Sequence, residues 1–421
     1  MPLSMSNYDA ALKDFYDGAL RETLNSEIPA FATLEKSSRA WSGRRVVFPF
    51  RTARNSGVGF RAENGTLPVA SNQTTSLAVT SATYAYGRIQ LSGPTLAAGK
   101  NAFVDAMELE MGGLVKDLSN EVGRATWGDG TGRLAQVGTA GASSTSVSVY
   151  NRFFEPQQPG ARHVSANQLI SFGTTADNGA LGSSQTVVSV SISSNPATTT
   201  DTITISNSTI SVSQCETFVF ATGGGSNEMM GIRGLVDEYT QTNMWMSNGF
   251  ASATVQGISR ATVSQWNSIV IANSGTERVV DSFLVQQAFD KINQDSGLEP
   301  DTIWAHHTVV RAFLDSVAAD RRYVSNGGAV NYDAGFGSLS YNGAKLIRDR
   351  QADFSTMLVF VRSCLKLFTL ADWAWAQKDG SVLSRVSNTD AYEAFYYWYG
   401  NLGFDESPKS ACMIRDIKVD F

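Results

Sequence analysis

Phe103-Val104-Asp105-Ala106-Met107-Glu108-Leu109-Glu110-Met111, carried on to Ala125-Thr126-Trp127-Gly128-Asp129-Gly130-Thr131-Gly132, is the stretch on which the fold of this chain turns. Phe103, Met107, Met111, Leu114, Leu118 and Val122 recur at spacings of four, four, three, four and four, which lays one apolar stripe along a helix. The spacing predicts a single long helix over 98–125, and the glycine-rich run from Trp127 to Gly132 stops it. Its polar side is acidic: Asp105, Glu108, Glu110, Asp117 and Glu121 stand against Lys116.

Upstream of this helix the character is extended. Arg45-Val46-Val47-Phe48-Pro49-Phe50 reads as a strand with an edge-type proline. Thr83-Tyr84-Ala85-Tyr86-Gly87-Arg88-Ile89-Gln90-Leu91 reads as its return, and the turn-rich run from Asn55 to Pro68 lies between. The whole of 44–92 is thus expected to be a long two-stranded arm. Residues 39–61 hold six arginines (Arg39, Arg44, Arg45, Arg51, Arg54, Arg61) and no acid. Further upstream, 8–28 is predicted to be an amphipathic helix, with Leu12, Phe15, Tyr16, Ala19, Leu20 and Leu24 at helical spacing and Pro29 ending it.

Downstream, 137–222 changes composition. From Gly182 to Ser213, 17 of 32 residues are Ser or Thr and eight are Val or Ile. Val188, Val190 and Ile192, then Ile203 and Ile205, alternate with Ser or Thr, the period of two that marks β-strands. This block is expected to be an all-β domain, with a Ser/Thr linker as the competing reading. From 227 the chain reads as mixed α/β. Helices are predicted over Ser282–Ser296 and Thr308–Ala319, and short strands over Met357–Val361 and Cys364–Leu370; a Tyr- and Trp-rich stretch, Tyr392–Tyr399, precedes a last strand-like segment, Ala411–Val419.

The chain has 421 residues, 42% of them hydrophobic, and a formal net charge of −6. Only 17% are charged, against ~25% in an average domain, which fits a surface covered by partners or the dilution of charge by a neutral β-rich segment. A mildly acidic balance gives no support to a dedicated nucleic-acid binder. Cys215, Cys364 and Cys412 are far apart and are expected to be reduced thiols. The opening Met1-Pro2-Leu3-Ser4-Met5 has no basic region before an apolar core, so no signal peptide is read, and no apolar run reaches bilayer length.

No pattern argues for an enzyme or a cofactor. His306-His307 sits on or beside a strand, where neighbours point to opposite faces, so joint metal ligation is not expected. His163 lies in the β-rich block without partners. The clusters Gly128–Gly132 and Gly223-Gly224-Gly225-Ser226 lack the Gly-Lys-Ser/Thr of a phosphate loop, and no Gly-x-Ser-x-Gly elbow occurs.

The order of these elements resembles the HK97-like (Hong Kong 97) capsid fold of tailed-bacteriophage major capsid proteins. The spine strings quoted above carry the resemblance. So do Asn227-Glu228-Met229-Met230-Gly231-Ile232-Arg233-Gly234-Leu235-Val236-Asp237, Pro300-Asp301-Thr302-Ile303-Trp304-Ala305-His306 and Arg321-Arg322-Tyr323-Val324. It implies an α+β fold: an N-terminal arm (1–43), an extended loop (44–97), a spine helix with the start of the peripheral domain (98–136), and an axial domain with the remainder of the peripheral domain (223–421). The 137–222 block departs from it as an inserted β-rich domain. The resemblance further implies hexamers and pentamers in an icosahedral shell around double-stranded DNA held by non-specific contact, a virion component assembled in the host cytoplasm. Scaffolding, portal and decoration or cement proteins would be its partners. An encapsulin-type nanocompartment shell shares the fold and stays open. A β-rich adhesin or binding module would require secretion.

Physical chemistry supports assembly independently. An isolated ribbon is marginal in water, and its edges invite pairing. A standard interface of ~1,600 Å² at ~25 cal/mol per Å² of apolar area leaves ample driving force after association costs. A basic arm (Arg44, Arg45, Arg51, Arg54 and Arg61, around Phe60) lying over the acidic helix of a neighbour (Asp105, Glu108, Glu110, Asp117, Glu121) would fix register by complementary charge. The alternatives are two solvated faces, or an arm tucked onto its own domain. No lysine occurs between Lys36 and Lys100, so the lysine–asparagine cross-linking that some members of the family use has no ε-amine in the loop.

Overall fold

The structure is a computed structural model. It describes residues 29–41, 43–93, 100–138, 141–142, 145–153, 158–173, 184–192, 201–207, 211–212, 217–237, 254–318, 339–377 and 382–419; for 100–109, 141–142, 211–212, 317–318 and 339 it describes the backbone alone. The helix expected at 8–28, the string Arg321–Val324 and Cys215 lie outside the described residues.

Strands β1 (Arg45–Ala53) and β2 (Thr74–Ser81) pair antiparallel from Arg45↔Ser81 to Ala53↔Thr74 and form the ribbon. The expected return strand is therefore displaced. Thr83–Ser92, here β3, pairs along its whole length with β16 (Ala391–Phe404) in a separate sheet. The reason lies in the faces of β3. Ile89 and Leu91 are buried against helix α1 (Lys100–Thr126), joining Met111, Val115, Leu118 and Val122 of that helix in one apolar cluster. Gly87 completes the fit, because a Cβ there would come within 3.0–3.2 Å of the Leu114 side chain. An outer strand of a free arm could not bury these residues. The sheet continues through β15 (Leu365–Trp375), antiparallel to β16 on its other side.

After α1 the chain enters a closed antiparallel barrel. Its strands are β4 (Arg133–Val137), β5 (Ser146–Asn151), β6 (Leu169–Gly173), β7 (Gln185–Ser191), β8 (Asp201–Ile205) and β9 (Phe218–Ala221), closed in the order β8-β5-β4-β9-β6-β7. Closure removes edges. The interior is filled by short aliphatics, among them Val147, Val149, Ile170, Val187, Ile203, Ile205 and Val219, with Phe172. The alternating run at 188–192 is in a strand, but not as one face. The pairing with β8 shifts between Thr204↔Ser189 and Ile205↔Val187, leaving Val188 as a bulged, exposed residue, so that Val187 and Val190 both turn inward. Asp201, one of few charges in this block, is buried, and its carboxylate accepts the Ala161 N–H at 2.9 Å.

The C-terminal part is a six-stranded mixed sheet: β10 (Ile269–Ile271), β17 (Ala411–Ile414), β14 (Met357–Phe360), β11 (Thr302–Ala305), β13 (Ala344–Arg348) and β12 (Leu339–Tyr341), in that spatial order. It is buried on both faces, and the period of two divides it. Met357 and Val359 face helices α2 (Ser282–Ser296) and α3 (His307–Ala318) with Leu284, Phe289, Val309 and Phe313, while Leu358, Phe360 and Trp304 face a central core with Trp127, Trp266 and Trp398. Asp281 caps α2 by accepting the Leu284 N–H at 2.8 Å. The segment 229–235 returns from the barrel against the end of α1. Gly231 is required there, since a Cβ would lie 2.3 Å from the Ala125 carbonyl oxygen.

Candidate assembly interface

The ribbon divides into an anchored base and a free tip. Along β1, Val46, Phe48 and Thr52 are buried and Phe50 is half-buried, while Arg45, Val47, Pro49 and Arg51 face outward. Phe48 stacks on Phe368 (centroids 6.3 Å apart), with the Arg39 guanidinium 4.2 Å from its ring, and Phe50 meets Trp266 edge-on at 4.6 Å. The Val79 N–H donates to the Gln256 carbonyl at 2.7 Å. Phe48 is thus satisfied within the chain, as are Ile89 and Leu91 of β3, which were expected in the return strand of the arm. The tip is different: Val58, Phe60, Leu67 and Val69 are 65%, 103%, 83% and 87% exposed. Their sequence signal was the apolar residues set among turn formers; which of them would be left in water was not legible.

Charge follows the same division. Arg39 pairs with Asp405 and belongs to the base. Arg44, Arg45, Arg51, Arg54 and Arg61 are exposed, and none has an acidic partner among the described residues. On α1, Glu110 and Asp117 are exposed. Asp105 and Glu108 lie on the helix backbone, and their side chains are outside the described residues. Glu121 already pairs with Arg124 of its own helix, with Arg124 Nε donating to Glu121 Oε2 at 3.2 Å.

Arg124 is buried and also pairs with Glu228, the residue that opens the return segment. The two carboxylates respond oppositely. Burial pushes Glu121 up, but the charge and hydrogen bonds of Arg124 outweigh it and hold the group below the usual carboxylate range. Glu228 is more enclosed; burial raises it, and Arg124 offsets only part. A second arginine, Arg152 of the barrel, donates to the Arg124 carbonyl (3.0 Å) and the Trp127 carbonyl (3.2 Å) at the C-terminal end of α1, with Asp353 at 3.8 Å. A cation there satisfies orphan carbonyls and the negative end of the helix. Arg162, over Phe354 at 4.5 Å, donates to the Ala352 carbonyl at 2.9 Å. Sequence reading missed these arginines, because only tertiary structure brings their carbonyl partners together.

A cavity of about 370 Å³ opens beside α1. Ala85, Leu118, Val122, Met229 and Trp398 line it with Glu121, Arg124 and Glu228. A larger one, about 730 Å³, lies between α1 and the barrel next to Arg162, His163 and Arg350.

His306 and His307 are adjacent at 4.7 Å between centroids rather than on opposite strand faces, because α3 begins at His307. No group of three or more His, Cys, Asp or Glu among the described residues could hold a metal. His306 is buried under Phe354, and its Nδ1 accepts the Thr308 N–H (3.3 Å) at the positive end of α3. Burial, with Arg162, His307 and Arg311, holds its pKa down to about 2, against 6.5 ordinarily. The unfolded chain therefore takes up a proton below pH 6.5 that the folded chain refuses, so this contribution to stability is complete above 6.5 and declines as pH falls towards 2. His306→Asn is expected to flatten the fall in urea midpoint between pH 6 and 4 by about one proton, or ~1.4 kcal/mol per pH unit; an unchanged slope would place the acid sensitivity elsewhere. Burial also pushes the Cys364 thiol up to about 12, as suits an inert reduced cysteine.

No protein-family model matches this chain, and no curated protein does. Solved structures do, phage capsid chains among them. A chain of the Cyanophage A-1(L) capsid asymmetric unit superposes with a TM-score of 0.55 at 13% identity, covering 93% of each chain. A chain from the capsid of Cyanophage P-SCSP1u gives 0.43 at 9% identity, covering 91% of this chain and 87% of that one. One from the capsid of a native GTA particle gives 0.45 at 6%, covering 92% and 90%. The likeness is one of fold. No described helix is long and apolar enough to cross a membrane.

Proposed function

We propose that this chain is a major capsid protein of the HK97-like type, a structural subunit whose copies join as hexamers and pentamers into an icosahedral shell around phage DNA. The observation that carries the reading is the divided ribbon. Its base is locked into the central core, while its tip holds four large apolar side chains in water beside arginines that lack acidic partners among the described residues. Exposure of that kind marks a surface completed by another molecule. In this reading Arg44, Arg45, Arg51, Arg54 and Arg61 lie over the acidic side of a neighbour's α1, at Glu110 and Asp117 and, on the same helix, Asp105 and Glu108; Glu121 contributes the charge that Arg124 leaves uncompensated. DNA is held inside by non-specific contact. Scaffolding, portal and decoration proteins act with it in the virion, and assembly takes place in the host cytoplasm.

The test is expression of the full chain with negative-stain microscopy and light scattering. Closed shells containing nucleic acid are the expected result. A compact monomer at high concentration would overturn the reading, and shells filled with an enzyme cargo would move it to the nanocompartment class. Because the loop has no lysine, boiled particles are expected to run on a denaturing gel as a single band at the monomer mass of 45.3 kDa. A covalent ladder would contradict this.

A further inference from the structure

We propose that the cavity beside α1 is the receptor for Phe60 of a second copy of this chain; the proposal rests on the shell-forming reading above and specifies its contact. Phe60 is fully exposed, so it does not occupy the cavity of its own chain. Nor is it placed to do so. The paired strands run eight residue steps from Arg45↔Ser81 to Ala53↔Thr74, about 27 Å at ~3.4 Å per residue. The tip thus begins that far from Ser81, two residues before the cavity-lining Thr83.

Size, apolarity and charge match. The walls Ala85, Leu118, Val122, Met229 and Trp398 offer an apolar and aromatic lining within about 370 Å³, the kind of site that takes an aromatic anchor. Glu121 and Glu228 share the single guanidinium of Arg124, leaving one carboxylate charge in surplus. Phe60 arrives with Arg61 beside it and Arg54 at the foot of the tip, both exposed and without acidic partners among the described residues. The larger cavity fails the same comparison. It sets Arg124, Arg162 and Arg350 against Asp117 and Glu121, an excess of positive charge that would repel an arginine-flanked tip.

Donor and receptor are different surfaces, so the contact is head-to-tail. Such contacts generate rings when the rotation closes, as pentamers and hexamers require.

The experiment replaces Phe60 with the photoreactive p-benzoylphenylalanine in the full chain, co-expressed with excess wild type so that the variant is carried into shells. Irradiation is expected to give a dimer-mass adduct whose peptides map to 83–86, 118–125 or 222–229. In parallel, Thr222→Trp, at an exposed position in the cavity wall, is expected to raise the concentration needed for assembly about tenfold with the monomer's melting unchanged. Shells whose adduct maps elsewhere, or that form none, overturn the cavity as receptor and leave the shell reading standing. An unchanged Thr222→Trp threshold also counts against the receptor. Absence of shells from the wild type overturns both.

Discussion

Arg54→Glu combined with Arg61→Glu is expected to abolish closed shells and leave a folded monomer. Both side chains are exposed and neither has an acidic partner among the described residues, where the one hydrogen bond lost is that of Arg61 Nη1 to the Phe60 carbonyl at 3.3 Å. Exposed substitutions of this kind change stability by about 0.5 kcal/mol or less. The interface loses far more. Two attractive contacts per copy become repulsive, and juxtaposed like charges cost several kcal/mol, multiplied around every ring. Circular dichroism and melting should match the wild type while light scattering shows no particles. A reciprocal reversal identifies the acceptor. Glu110→Arg with Asp117→Arg changes two exposed positions seven residues apart, hence on the same side of α1, and should restore shells in the quadruple variant. Normal particles from the double arginine variant would end the electrostatic account of register.

The second large effect is on the monomer. Arg124→Met is expected to cost ~3–5 kcal/mol of unfolding free energy, because it strands the enclosed Glu228 carboxylate without its counter-ion. Arg124→Met with Glu228→Leu should recover most of the loss, since replacing both members of a buried pair with apolar groups is often neutral. The pH dependence carries the sign. With Arg124 gone, burial and the Glu121 charge, opposed only by the smaller effect of Arg152, raise the folded pKa of Glu228 further above the ordinary 4.5. The penalty is then greatest where the group must be ionised, at neutral pH, and fades as pH falls through that raised value and the carboxyl takes its proton in the folded state. Denaturant titrations at pH 7 and pH 5 measure it. A deficit that is equal at both, or a double variant no better than the single one, would mean that Arg124 acts through packing.

Much of this architecture was legible because it rests on short-range periodicity. The stripe ending Met111, Leu118 and Val122 gave the long helix to within a residue or two of Lys100–Thr126. The Ser282–Ser296 helix was read with both ends, where Asp281 caps one and Gly297 follows the other. The partner of β1 was not legible. Thr74-Thr75-Ser76-Leu77-Ala78-Val79-Thr80-Ser81 has few of the bulky strand formers that drew attention to Thr83–Leu91, yet its small side chains suit a ribbon that packs on one side only. Pairing over three hundred residues of sequence, such as Tyr86↔Tyr397, leaves no local trace. For the candidate interface, the composition showed basic arm and acidic helix, but not that Arg39 and Glu121 are bound within the chain or that Phe60 stands free.

The barrel's first and last strands, β4 and β9, are hydrogen-bonded neighbours, with Ala135 opposite Val219. The polypeptide thus departs from the rest of the molecule and comes back at nearly the same point. What lies between can lengthen, shorten or be exchanged for a foreign module without altering the span that the flanking segments must bridge. The constraint on such a graft is chemical, not geometric. Arg152 and Arg162 leave with the barrel, and the Arg124, Trp127 and Ala352 carbonyls they cover would need new donors. A replacement carrying two well-placed guanidinium groups makes this junction a natural port for displaying cargo.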